Sequence, residues 1–181
     1  MSLRSYGSFA PTLGARVYVD PAAIVIGRVK IGDDSSIWPT VVVRGDVHSI
    51  EIGARTSVQD GSVLHVTHDG PYAPGGRALI IGSDVTVGHR AVLHACTIGN
   101  SCLVGMGSIL LDDVVTDDFV MIGAGSVVPP GKRLERGGLY VGSPARRVRD
   151  LREHELEFLS YSAAHYVKLK DEYLRKAPGA V

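Results

Sequence analysis

Three of the chain's seven histidines, His65, His89 and His94, are the residues whose type and grouping suggest chemistry. Neutral imidazole is a good ligand for zinc and ferrous iron. A catalytic zinc site takes three protein donors and leaves a fourth position open for water or substrate. Nearby lie Arg44-Gly45-Asp46 and Gln59-Asp60, which add charge and a carboxamide. Whether three histidines so spaced can share one ion depends on the element that carries them.

That element is a repeat. Aliphatic residues recur every six positions at Leu13, Val19, Val25, Ile31, Ile37 and Val43, at Ile52, Val58 and Leu64, and again at Ile81, Val87 and Leu93. The series then slips by one and continues at Ile98, Val104, Leu110, Thr116, Ile122 and Val128, with Thr116 the one member that is not aliphatic. A glycine often follows the aliphatic residue and a small residue sits four places after it, as in Ile31-Gly32-Asp33-Asp34-Ser35. A fixed period of this kind specifies stacked repeats, here an all-β triangular prism with one hexapeptide per face and about eighteen residues per coil. The aliphatic and small residues are expected to point inward, and the glycine to take backbone angles that other residues resist.

Residues 65–80, with Asp69-Gly70-Pro71 and Pro74-Gly75-Gly76, read as a loop expelled from one corner. The β-helix is expected over 1–148. A C-terminal helix over 149–175 packs along it, with Leu156, Leu159, Ala163, Tyr166, Val167 and Leu174 close to a 3.6 period. A tail, 176–181, follows, with Pro178-Gly179 ending the helix.

Assigning faces in turn places the histidines. Ile52, Val58 and Leu64 begin the three faces of one coil, and Ile81, Val87 and Leu93 begin the same faces of the next. His65 and His94 each follow the aliphatic residue of the third face, so they point the same way on adjacent coils, about 5 Å apart. His89 lies on the second face, two positions after Val87, around the corner from that pair. The third ligand must then come from a neighbouring prism, and a cyclic trimer with second face against third supplies it three times over. By the same reckoning Arg44 is on the third face, while Gln59 and Asp60 are on the second, Asp60 in phase with His89. Across such an interface Arg44 would pair with Asp60, and Gln59 would reach toward the metal. His154 and His165 fall on the helix surface, His48 at a coil corner without an evident partner, and His68 on the expelled loop beside the site.

These residues, Arg44-Gly45-Asp46, Gln59-Asp60, His65, and His89 with His94 five places on, resemble the signature of the gamma-class carbonic anhydrases and their bacterial homologues. The resemblance runs from the first coil to the helix. It implies a left-handed winding, which spacing alone does not give because parallel β crossovers are normally right-handed. It implies a homotrimer that binds zinc or ferrous iron through His65 and His94 of one subunit and His89 of the next, with Arg44, Asp46 and Asp60 holding the interface. The activity implied is reversible hydration of carbon dioxide to bicarbonate, the metal lowering the pKa of its water to about 7 and Gln59 orienting the attacking hydroxide. Two glutamates that serve proton transfer in the archetype are here Val47 and His68, and an asparagine is here Ser57. His68, with an unperturbed pKa near 6.5, is the candidate replacement shuttle. Tyr166 resembles a helix tyrosine that reaches the site in bacterial members.

Composition narrows the alternatives. Nineteen Lys plus Arg balance nineteen Asp plus Glu, so overall charge does not point to nucleic acid or an anionic membrane. The first twenty residues hold no run of seven apolar residues, and no segment approaches the roughly 20 apolar residues of a membrane span. A cytoplasmic protein is expected. Cys96 and Cys102 lack metal-site spacing and read as reduced core fillers. Three other functions compete: an acyl-coenzyme A transferase, because Gly142-Ser143-Pro144-Ala145 resembles a closure common among hexapeptide acyltransferases; a metal-dependent thioesterase; and a non-catalytic metal-binding homologue.

Overall fold

The computed structural model describes residues 2–176, which form a parallel β-solenoid of about eight turns followed by one α-helix. Most strands are two residues long, because each face commits only the inward aliphatic residue and its predecessor to the ladder before the chain turns. Outward residues stack in three columns. The first face carries Thr12, Lys30, Glu51, Ile80, Thr97, Val115 and Arg133. The second carries Tyr18, Ser36, Ser57, Thr86, Leu103, Met121 and Leu139. The third carries Val42, Val63, Val92, Ile109 and Val127. Successive coils are 18 residues apart in the regular part, as from Tyr18 to Ser36, and 17 apart from Thr86 to Leu103, which is the slip in the aliphatic series.

The inward positions make a closed apolar column: Ile37, Val58, Leu64, Val87, Leu93 and Leu110 are 0% exposed. The small inward residue is often a serine whose hydroxyl donates to a turn carbonyl, as Ser35 to Gly53 at 2.7 Å and Ser62 to Gly88 at 3.0 Å. Buried hydroxyls need such partners. Thr116 is buried too, and its Oγ1 accepts from the Gly99 amide at 3.0 Å. The glycine after the aliphatic residue serves another purpose than the one expected. The left-handed angles fall two places later, on Asp34, Arg55, Asp84 and Ser101, with φ between 51° and 60°. Gly53 is instead a point of close approach between coils: a Cβ there would lie 2.5 Å from the Gly82 carbonyl carbon.

Two excursions interrupt the coils. In one, the four residues 46–49 stand opposite the single residue Arg28, between the pairs Gly27 with Gly45 and Val29 with Ile50. The aliphatic series shows it only as the long interval from Val43 to Ile52. The other is the expelled loop, narrower than 65–80, because strands Val63–His65 and Leu79–Ile81 already belong to the ladder.

After the last coil the chain turns back on itself: strand Gly138–Gly142 pairs antiparallel with Ala145–Asp150, which forms the edge of the second-face sheet, so residues 149–150 are strand where helix was expected. The helix spans Glu153–Lys176. Its N-terminus is fixed by Glu155, which accepts from the Arg152 amide at 2.8 Å and from both Arg149 Nη atoms at 2.6 and 2.7 Å. These bonds, Arg149 first, hold the Glu155 carboxyl down at about 2. The helix lies along the second face. Leu159, Ser162, Ala163 and Lys170 are buried there, whereas Leu156, expected inward, is 37% exposed. Lys170 Nζ, fully buried, donates to Asp34 at 2.8 Å and Asp171 at 2.5 Å. Thr86 and Ser162 share a hydroxyl bond at 2.9 Å, and Trp38 contacts Tyr18, Tyr166 and Tyr173. Apart from Lys176, the expected tail and its Pro178-Gly179 stop lie outside the described residues. No helix among the described residues is long and apolar enough to cross a membrane.

Leu93→Ala empties a fully buried inward position, and its unfolding free energy should fall by about 2–5 kcal/mol. Ile80→Ala, on the outward column and 43% exposed, should change it by no more than about 0.5 kcal/mol. Denaturant unfolding of the two variants checks this, and equal losses would contradict the inward and outward assignment.

Candidate metal centre

Parallel stacking sets His65 directly beside His94: the two are Cα partners in register, with ring centroids 5.2 Å apart. His65 Nδ1 faces His94 Nε2 at 3.1 Å. Each ring's other nitrogen meets a carboxylate. His65 Nε2 lies 3.1 Å from Asp46 Oδ1, and His94 Nδ1 lies 2.6 Å from Asp112 Oδ1. Asp46 also takes a close bond from Arg44 Nη1, and Asp112 takes one from the Thr67 hydroxyl. The result is a ladder, Asp46, His65, His94, Asp112, running down one corner of the prism.

Burial opposes ionisation of Asp46, but the bonds from Arg44 and His65 outweigh it and hold its carboxyl below the ordinary range. Asp112 is lowered likewise, by Thr67 and His94 against burial. An ionised carboxylate only accepts hydrogen bonds, so the protons sit on His65 Nε2 and His94 Nδ1. With both rings neutral, as metal binding requires, both facing nitrogens present lone pairs. Burial, with Arg44 adding to it against the pull of Asp46, pushes the His65 pKa down and keeps that ring neutral. Two facing lone pairs repel unless a cation lies between them. Ligands on a tetrahedral zinc with bonds of about 2.0–2.1 Å stand about 3.3 Å apart, close to the 3.1 Å seen here. The carboxylate behind each imidazole is the outer arrangement typical of metal-bound histidine. The donor set fits zinc or ferrous iron, lacking only a third ligand.

His89 lies elsewhere. It is 47% exposed on the second face, with Nδ1 3.0 Å from Asp60 Oδ2. Gln59, buried to 5% exposure, His89 and Tyr166 line one groove of about 430 Å³ between helix and prism, with Met106, Met121 and Phe158 supplying apolar walls. Burial and then the charge of Asp60 raise the Tyr166 hydroxyl pKa. The chain thus carries its candidate ligands in two separate places, and among the described residues no group of three His, Cys, Asp or Glu side chains is placed to hold a metal.

Within one chain Arg44 pairs with Asp46 and Asp60 faces His89; the expected pairing of Arg44 with Asp60 lies between subunits. His68 is exposed on the loop and stays out of the ladder, bordering a pocket of about 290 Å³ with Tyr72, Arg77, Asp112 and Asp113. His48 has a partner after all: its Nδ1 accepts from the Ser49 amide at 2.8 Å. Cys96 and Cys102 are free and buried, and burial pushes the Cys96 thiol up to about 12. Sequence reasoning missed Thr67 and Asp112. The register gave Asp112 no signal: the coil after His94 is 17 residues, with Leu93 paired to Leu110, so Leu111 is in phase with His94 and Asp112 lies one place beyond.

Comparison with known proteins agrees with this geometry. Residues 10–45 match the model of the family described as bacterial transferase hexapeptide (six repeats). The chain is 59% identical over 172 residues to protein YrdA of Escherichia coli (strain K12), covering 95% of this chain and 94% of that one. It is 42% identical to the mitochondrial gamma carbonic anhydrase 2 of Arabidopsis thaliana, covering 88% of this chain and 57% of the plant protein. A crystal structure of a hexapeptide transferase family protein from Anaplasma phagocytophilum superposes with a TM-score of 0.87 at 39% identity, covering 94% of this chain and 97% of that one. With the repeat, its register and these relatives together, the chain belongs to the gamma carbonic anhydrase-like family of hexapeptide-repeat proteins.

Proposed function

We propose that the chain is a metal-dependent lyase that hydrates carbon dioxide reversibly to bicarbonate, working as a cytoplasmic homotrimer with a site at each subunit interface. One observation carries this reading: His65 Nδ1 and His94 Nε2 face each other at 3.1 Å with a carboxylate fixing each ring from behind. The surface supports the trimer. The third face, which bears that pair, presents a wholly apolar column of Val42, Val63, Val92, Ile109 and Val127, whereas the first face mixes Ile80 and Val115 with the charged Lys30, Glu51 and Arg133. Covering the third face with the second face of a neighbour buries aliphatic surface and brings His89 to the pair.

Zinc, or ferrous iron, supplies Lewis acidity that makes water nucleophilic near neutral pH. The chain's own groups do the rest. Asp46, Asp112 and Asp60 each hold one imidazole in place. Gln59, in the groove beside His89, offers a carboxamide donor and acceptor to orient the attacking water. Water adds to the carbon of carbon dioxide, a proton is released, and bicarbonate leaves. His68, exposed on the loop, accepts that proton and passes it to solvent, and the Tyr166 hydroxyl lines the approach.

A second reading, metal-dependent thioester hydrolysis or acyl transfer, is favoured by the groove, whose apolar walls of Met106, Met121 and Phe158 exceed what carbon dioxide requires. Acyl transfer that survives full metal removal would select the transferase, and thioester cleavage by the metal-loaded protein without hydration would select the hydrolase.

Stopped-flow measurement on anaerobically metallated protein should show hydration that chelation abolishes and that His94→Ala lowers by at least about 100-fold. His65→Ala and His89→Ala should each be inactive alone, yet regain activity when their subunits are mixed and reassembled, because some interfaces then combine an intact third face with an intact second face. No recovery on mixing would contradict a shared site. Native His65 titrates below its unfolded value, so the unfolded chain takes up this proton first as pH falls through about 6.5. Its contribution to stability is therefore lost with falling pH from there down to the native midpoint. In the metal-free protein Arg44→Met removes a neighbouring cation and should raise the His65 midpoint, read by NMR; a fall would show that Arg44 acts otherwise.

A further inference from the structure

Thr67 and the stem of the expelled loop lie outside the residues that the proposed chemistry uses, yet Thr67 reaches His94 through Asp112. Thr67 and Arg77 close the base of the expelled loop with backbone bonds in both directions, at 3.1 and 2.9 Å. From that stem the Thr67 hydroxyl donates to Asp112 Oδ2, and Arg77 Nε donates to Asp113 Oδ2 at 2.5 Å. The loop is thus pinned to one dipeptide. Asp112 Oδ1 takes His94 Nδ1 at 2.6 Å. The dipeptide is itself fixed in the stack, for the Gly131 amide donates to the Asp112 carbonyl at 2.9 Å and the Asp113 amide donates to Ala95 at 3.0 Å.

The terminal torsion of a carboxylate is soft, so an aspartate held by one oxygen only would let its histidine swing. With Thr67 on the second oxygen the carboxylate plane is set, and the His94 ring with it. Resting on the metal reading above, we infer that Thr67 and Asp112 are positioning residues for His94, and that the inserted loop is clamped to the prism so that a metal ligand is held in orientation. The loop stem is then part of the metal centre although none of its residues touches the ion.

Zinc affinity of the intact oligomer, measured by competition with a chromogenic chelator, tests this without reference to turnover. Asp112→Asn should weaken zinc about 10–100-fold, the range seen when partners of metal-bound histidines are removed. Thr67→Val should weaken it in the same direction by less, and Thr67→Ser, which keeps the hydroxyl, should restore it. Thr67→Val also serves if the Asp112 variant does not fold. His94→Ala is the reference. If it loses zinc while Asp112→Asn and Thr67→Val both stay within about twofold of the unaltered chain, the positioning role is overturned and the metal reading stands. If His94→Ala binds zinc as the unaltered chain does, both fall.

Discussion

In a parallel stack held in register, each side chain stands over its counterpart one coil away, and the strand spacing leaves nearly 5 Å between them. That constraint places His65 against His94 with no tuning of loops. It also explains why the flanking carboxylates matter. Two imidazoles brought this close would settle into a single shared hydrogen bond if either facing nitrogen carried a proton. In the neutral pair, Asp46 and Asp112 draw the protons to the outer nitrogens and leave the facing ones as acceptors.

The departures from regularity are where the site is built. Asp46 reaches His65 because residues 46–49 leave the coil at a single register break. Thr67 reaches Asp112 because the expelled loop starts immediately after the strand that ends at His65. On the opposite side of the corner, the helix held by buried Lys170 brings Tyr166 beside Gln59 and His89. The uniform coils supply rigidity, and three irregular pieces supply the groups that surround the two histidine clusters.

Much of this was legible in the sequence. The period of six located the inward residues, and counting faces put His65 and His94 in register and His89 around the corner, as the ladder shows. Torsion was misassigned to the glycine that follows each aliphatic residue, since both tight space and left-handed angles favour glycine in a sequence; only coordinates separate Gly53, chosen for space, from Asp34, which bears the turn. The contact of Arg44 with Asp46 was not legible, because face counting ignores the four-residue excursion that carries Asp46. Lys170 escaped notice because a lysine in a helix reads as solvated, and its carboxylate partner Asp34 lies 136 residues away in the chain. Asp112 escaped the counting that found His94 because the next coil is one residue short, so Leu111 takes the in-phase position and Asp112 lies one place beyond it.

The central claim is that each chain holds two ligands of one ion and borrows the third. X-ray absorption spectroscopy of the zinc-loaded oligomer measures this directly, because outer-atom scattering from imidazole counts the histidines on the metal. The account predicts three imidazoles per zinc in the unaltered protein and two in His89→Ala. Two in both, or a shell of oxygen donors alone, would contradict it.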